Sequence, residues 1–118
     1  LLEDETPIGV WRLQGVDEIN RVCEVGWDTF PAYRKQGFAT QTSRMLMSFL
    51  FDHYNIHMIF VHVAEFNTKS FSVCLKLGFR ETGRFVESIY RNGRYWDNIL
   101  MCLTVDEYRR LYPEVGRP

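Results

Sequence analysis

Residues 56–63, Ile-His-Met-Ile-Phe-Val-His-Val, are short, dense in apolar side chains and without formal charge, and a helical period stands on either side of them. A run of that kind suits a strand covered on both faces. Before it, Phe38, Thr42, Met45, Leu46, Phe49 and Leu50 recur three and four residues apart, which predicts a helix from Gly37 to about Tyr54. After it, residues 68–77 predict a second helix, and Gly78 stands where a left-handed residue would end it. A strand between two helices of this size points to a layered α/β domain. The flanks complete the layer. Residues 7–13 read as a strand led in by Pro7, 15–20 as a polar connection, and 21–30 as a second strand that Pro31 stops, because proline has no N–H to give. Residues 85–90 and 95–103 flank Asn92-Gly93, a strong hairpin signal, and 105–112 predict a short closing helix. The expected order is β-β-α-β-α-β-β in a mixed sheet.

A chain of 118 residues with 46% apolar and 25% charged residues fits one globular domain, here residues 1–118. The formal charge of -1 offers no bulk attraction for nucleic acid or anionic lipid. Apolar runs such as 58–61 and 99–103 are too short to span a bilayer, and residues 1–4 show no basic stretch leading an apolar one, so no membrane association is expected. Cys23, Cys74 and Cys102 are odd in number and lack a C-x-x-C spacing, which argues for a reducing compartment and a cytoplasmic location. His53, His57 and His62 lie in no metal-binding pattern and are expected to be structural or surface residues, with no metal bound.

Two segments carry the chemistry. In the first, Tyr33-Arg34-Lys35-Gln36-Gly37-Phe38-Ala39-Thr40 joins a predicted strand to a predicted helix. The first turn of a helix has N–H groups without internal partners, and its dipole favours negative charge. Gly37 and Ala39 keep side chains small where an anion would approach, and Arg34 and Lys35 add positive charge. Alone, the segment is equally a loop-to-helix junction with solvated cations; it is neither a Walker motif nor a G-x-G-x-x-G fingerprint. In the second, Asn67, Ser70, Cys74 and Leu77-Gly78-Phe79 span the later predicted helix. There Asn67 can serve as an N-cap, Ser70 as a first-turn polar residue and Phe79 as core.

Taken together and in this order, the segments resemble the two signatures of the GNAT acetyltransferases, Q/R-x-x-G-x-G/A (Arg34, Gly37, Ala39) and N-x-x-S/A followed by L-G-F (Asn67, Ser70, Leu77-Gly78-Phe79). The resemblance covers roughly residues 7–112. With Arg91-Asn92-Gly93-Arg94-Tyr95-Trp96-Asp97 before the last strand, it is similar to the ribosomal-protein N-terminal acetyltransferase subgroup. It implies a partial GNAT fold, with acetyl-CoA as the acetyl donor. It also implies that residues 34–40 (Arg34, Lys35, Gln36, Gly37, Phe38, Ala39 and Thr40) hold the pyrophosphate. A bulge near Val25, Gly26 and Trp27 would offer an amide to the acetyl carbonyl, and Asn67 and Ser70 would meet the pantetheine and phosphate portion. Cys74 stands where many members have the tyrosine that protonates the departing thiolate. It is either a substitute acid or a buried small apolar residue.

The implied reaction transfers acetyl from acetyl-CoA to a primary amine, a protein or peptide N-terminus or a small amine. Glu24 is the expected proton acceptor because it is the carboxylate beside the acyl-binding strand; its plainer role is an edge charge. The competing readings are a non-catalytic acetyl-CoA-binding module and a protein-interaction domain. Members of the family normally begin with a strand, two helices and another strand that this chain is expected to lack, and exposed strand edges near residues 1–13 favour a homodimer.

Overall fold

The computed structural model describes residues 9–29 and 38–113. Its elements are β1 (Gly9–Asp17), β2 (Val22–Thr29), α1 (Phe38–Ser48), β3 (Met58–Ala64), α2 (Thr68–Leu77), β4 (Arg80–Arg91), β5 (Arg94–Thr104) and α3 (Val105–Leu111). The strands form one five-stranded sheet in the order β1-β2-β3-β5-β4. Only β2 and β3 run parallel; the other neighbours are antiparallel. This is the expected β-β-α-β-α-β-β order, closed by a helix.

Local chemistry sets most boundaries. Asn67 Oδ1 accepts the Ser70 N–H at 3.2 Å and starts α2. Gly78 ends that helix at φ 107°, with its own N–H on Leu75 and the Phe79 N–H on Cys74, a pair of bonds that satisfies two last-turn carbonyls. A side chain at Gly78 would also run into Leu111 of α3, so the same position locks two helices together. At α3, Thr104 Oγ1 accepts the Glu107 N–H while Glu107 Oε1 accepts the Thr104 N–H, a reciprocal cap. The last turn of α1 widens over Phe49–His53, where the Tyr54 N–H reaches back five residues to Phe49 at 2.9 Å.

Three elements differ from their sequence-based reading. β1 continues to Asp17, through residues expected to form a connection; the reversal is instead the four residues 18–21. Asp17 Oδ1 there accepts the N–H groups of Asn20 and Ile19, at 3.0 and 3.1 Å. These bonds, Asn20's first, hold the Asp17 carboxyl below its ordinary range. β4 begins at Arg80 rather than near Phe85, because an outer strand can be polar along its length.

The third difference concerns β3. Ile59, Val61 and Val63 are buried, but His62 between them is exposed and Phe60 is half-buried. The strand is therefore covered on one face rather than two. α1, α2 and α3 all pack on the covered face, where Leu50, Phe51, Leu77, Met101 and Tyr108 are 0–1% exposed. Each such side chain contributes about 1.5–3 kcal/mol of apolar burial. Tyr108 stacks on Phe51 at 4.7 Å and donates its hydroxyl to Asp52 at 2.9 Å, so its polar end is satisfied. Among the described residues, no helix covers the opposite face.

Candidate active site

The β2–β3 ladder is short. It runs Val22↔Met58, Cys23↔Ile59, Glu24↔Phe60, and stops. Beyond that rung β2 continues to Thr29 against β1, and β3 continues to Ala64 against β5. Two parallel strands thus part at their C-terminal ends and leave a wedge whose facing edges have no ladder between them among the described residues. Backbone groups on such edges need partners, and a ligand can supply them. The carboxyl end of parallel strands is also where open α/β sheets accommodate ligands.

Both arms of the wedge lead into helices. β2 precedes α1 and β3 precedes α2, so the N-termini of both helices lie at the wedge's end of the sheet. Their free N–H groups and positive dipole ends suit an anionic ligand. Phe38, Ala39 and Thr40 form the first turn of α1, and Asn67 and Ser70 form the start of α2. Val25, Gly26 and Trp27 are the first residues of β2 past the last rung. Arg34, Lys35, Gln36 and Gly37 lie outside the described residues.

The expected bulge is displaced. Leu13 pairs with Val25 and Gly15 with Glu24, so the extra residue is Gln14, on β1 and not on β2. An edge strand absorbs an insertion most easily, since only one side of it must keep register. Gly26 makes room for this. A side chain there would collide with the Gln14 amide and come within 3.2 Å of the Arg12 guanidinium.

At the last rung, Glu24 Oε2 meets His62 Nδ1 at 2.7 Å. The carboxylate side chain is 23% exposed and the imidazole 41%, both on the face away from the helices. The Phe60 ring meets the His62 ring edge-on at 5.9 Å. The sequence singles out Glu24 and not His62. The signal that could have found it is its place in the strand: in residues 56–63 it alternates with Val61 and Val63, so it had to face the other way.

Cys74 is another matter. It is 0% exposed in the helix-side core, and burial pushes its thiol up to about 12. The thiol is part of the buried core. The turn after β3 is held by Arg84, whose guanidinium meets Glu81 at 3.0 Å, Asp97 at 3.2 Å and Glu65 at 3.5 Å. Glu65 Oε1 in turn accepts the Asp97 N–H at 3.0 Å, and the Glu65 N–H donates to the Asp97 carbonyl at 2.9 Å. This network anchors the approach to α2. It also holds the Asp97 carboxyl below its ordinary range, through the Glu87 N–H first and Arg84 second. Among the described residues, no three His, Cys, Asp or Glu side chains gather as a metal site, and no helix is long and apolar enough to cross a membrane.

Residues 1–80 match the model described as Acetyltransferase (GNAT) domain, and the chain belongs to that family. Among individual proteins, it is 32% identical over 101 residues to the spermidine N(1)-acetyltransferase of Vibrio cholerae, covering 86% of this chain and 58% of that one. The Escherichia coli enzyme of the same name is 27% identical over 105 residues, covering 89% and 56%. YdaF of Bacillus subtilis, provisionally named a ribosomal N-acetyltransferase, is 28% identical over 108 residues, covering 92% and 59%. The chain thus spans 56–59% of the length of these curated relatives. In solved structures, mutant forms of the V. cholerae spermidine/spermine N-acetyltransferase SpeG superpose with a TM-score of 0.86 at 29% identity, over 93% of this chain and 66% of that one. The V. cholerae enzyme in complex with CoA and spermine gives 0.80 at 32% identity, over 86% and 60%. That enzyme has also been solved as a dodecamer.

Proposed function

We propose that this chain binds acetyl-CoA in the wedge between β2 and β3 and supports acetyl transfer to a primary amine on a small polyamine. The carrying observation is the ladder that ends at Glu24↔Phe60, with the starts of α1 and α2 on the same side. The wedge supplies strand edges that, among the described residues, have no ladder between them for the acyl-pantetheine arm to complete, and the helix ends supply N–H groups for phosphate. In this reading Arg34, Lys35, Gln36, Gly37, Phe38, Ala39 and Thr40 hold the pyrophosphate, Asn67 and Ser70 border the pantetheine, and Val25, Gly26 and Trp27 line the acyl end. The donor must be placed against the amine before the charge on the thioester oxygen develops, so most of the rate comes from positioning and fixed backbone donors. Glu24 provides the carboxylate that draws a cationic amine to the mouth of the wedge. Cys74 packs and does no chemistry.

The relatives named for spermidine favour a polyamine acceptor, and the open carboxylate face at Glu24 suits a flexible cation better than a bulky folded chain end. Self-association through the exposed β1 edge and residence in a reducing cytoplasm, with Cys23, Cys74 and Cys102 as free thiols, belong to the same proposal. Calorimetric titration with acetyl-CoA, against ATP as the phosphate control, tests it. Saturable binding of acetyl-CoA in preference to ATP is expected, followed by acetylation of spermidine ahead of peptide N-termini. A folded chain that binds neither, or both alike, contradicts it.

A further inference from the structure

Glu24 and His62 are 38 residues apart in sequence, and the parallel β2–β3 register alone brings them together. We propose that His62 is the group that takes the proton from the acceptor amine, and that Glu24 is the positioning residue that holds it ready; the inference rests on the acetyl-transfer reading above and deepens it.

Place and exposure favour the imidazole. Glu24 sits on the last rung of the ladder, and His62 lies two residues past the partner of that rung, at the mouth of the wedge. Of the two side chains His62 is the more open, 41% against 23%. Chemistry agrees. A carboxylate only accepts hydrogen bonds, so with Glu24 ionised the 2.7 Å contact calls for the proton on His62 Nδ1. The other ring nitrogen, Nε2, then carries a lone pair, and the edge-on Phe60 ring restricts how the imidazole can turn. An imidazole is a stronger base than a carboxylate, so proton transfer to it from an alkylammonium is less uphill. A neighbouring carboxylate then stabilises the imidazolium that forms.

The surroundings leave this arrangement intact. From β1, Arg12 faces the same side next to Gly26. From β5, His62 pairs with Leu100, and Cys102 lies two residues further along, with its sulfur 3.2 Å from the Thr82 hydroxyl of β4. Arg80 of β4 pairs opposite Cys102 and is held by Glu107 at 2.8 Å.

The step balances without another reagent. The ammonium of the acceptor gives one proton to His62 Nε2, and its nitrogen lone pair forms the C–N bond to the acetyl carbonyl. The C–S bond breaks, and the CoA thiolate leaves with the electron pair. The amide nitrogen's remaining extra proton goes to solvent or to the thiolate.

Two measurements on the whole chain test this. Nitrogen-15 NMR of the ring nitrogens reads the tautomer directly. We expect neutral His62 to carry its proton on Nδ1, and the Glu24→Gln variant to lose that preference. A proton on Nε2 in the unaltered chain overturns the proposal. Turnover of acetyl-CoA with spermidine across pH then reads the role. His62→Gln is expected to lower kcat by about 10²–10⁴-fold and to abolish the acid limb of kcat/KM. Glu24→Gln is expected to keep that limb but move it to a different pH. If His62→Gln binds acetyl-CoA, turns over within about twofold of the unaltered chain and keeps the limb, the inference fails while the acetyl-transfer reading stands. If the folded, unaltered chain binds no acetyl-CoA, or binds it and acetylates no amine, both fail.

Discussion

The β4–β5 arm and the β2–β3 junction belong to one sheet but are built for opposite ends. β4 and β5 pair from Arg80↔Cys102 to Arg91↔Arg94, with irregularities after Glu81 and after Phe85, and they end in a hairpin at Asn92-Gly93. β2 and β3 share three rungs and part. In the arm the two strands stay paired along most of their length. The junction leaves two strand edges with no ladder between them, among the described residues, at the point where two helices begin. In this molecule, the place to look for chemistry is where a ladder stops early, and not where the aromatic residues are densest. Tyr90 and Tyr95 on the arm are exposed and meet each other edge-on at 5.2 Å, while the polar pair Glu24 and His62 marks the junction.

The comparison breaks first in the core that both regions share. Met101 lies on β5 between β3 and β4 and is 0% exposed. Met101→Ala should cost about 2–5 kcal/mol, read as a lower urea midpoint. A loss below ~1 kcal/mol would mean that the shared sheet does not carry the stability assigned to it.

A smaller effect separates stability from binding at the junction. Asn67→Ala removes the side chain that starts α2 and should cost about 1 kcal/mol. Asn67→Asp keeps an accepting oxygen at the same place and should retain the stability. Its negative charge should nonetheless weaken acetyl-CoA binding, since the helix end is assigned to an anionic ligand. Equal acetyl-CoA affinity in Asn67→Asp and the unaltered chain would remove the start of α2 from the site.

Much of the fold could be read in the sequence, and the reasons are local. Asn92-Gly93 and the runs beside it place the hairpin, with Asn92 and Gly93 at φ 54° and 79°. Asn67 and Gly78 bound α2 at the residues expected, because a cap and a left-handed stop are properties of a few adjacent residues. What could not be read depends on neighbours distant in sequence. β1 runs past Leu13 because Gln14, Gly15 and Val16 belong to an outer strand, which needs no buried face to form. β3 is covered on one face and not two, since apolar density alone does not say how many faces are covered. The Glu24–His62 contact needs the register of two parallel strands joined through a helix, and no pattern within either strand encodes it. The sequence leaves Cys74 open between an acid and a packing residue, and its burial becomes visible only in the fold.

The central claim is that acetyl-CoA completes the open edges between β2 and β3. Amide hydrogen exchange of the whole chain, with and without saturating acetyl-CoA, tests it most directly. The account predicts slowed exchange at Val25, Gly26 and Trp27, along residues 61–64 and at the starts of α1 and α2, with exchange at Asn92 and Gly93 unchanged. Slowing confined to the β4–β5 hairpin, or no change at the β2 and β3 edges despite saturable binding, would contradict it.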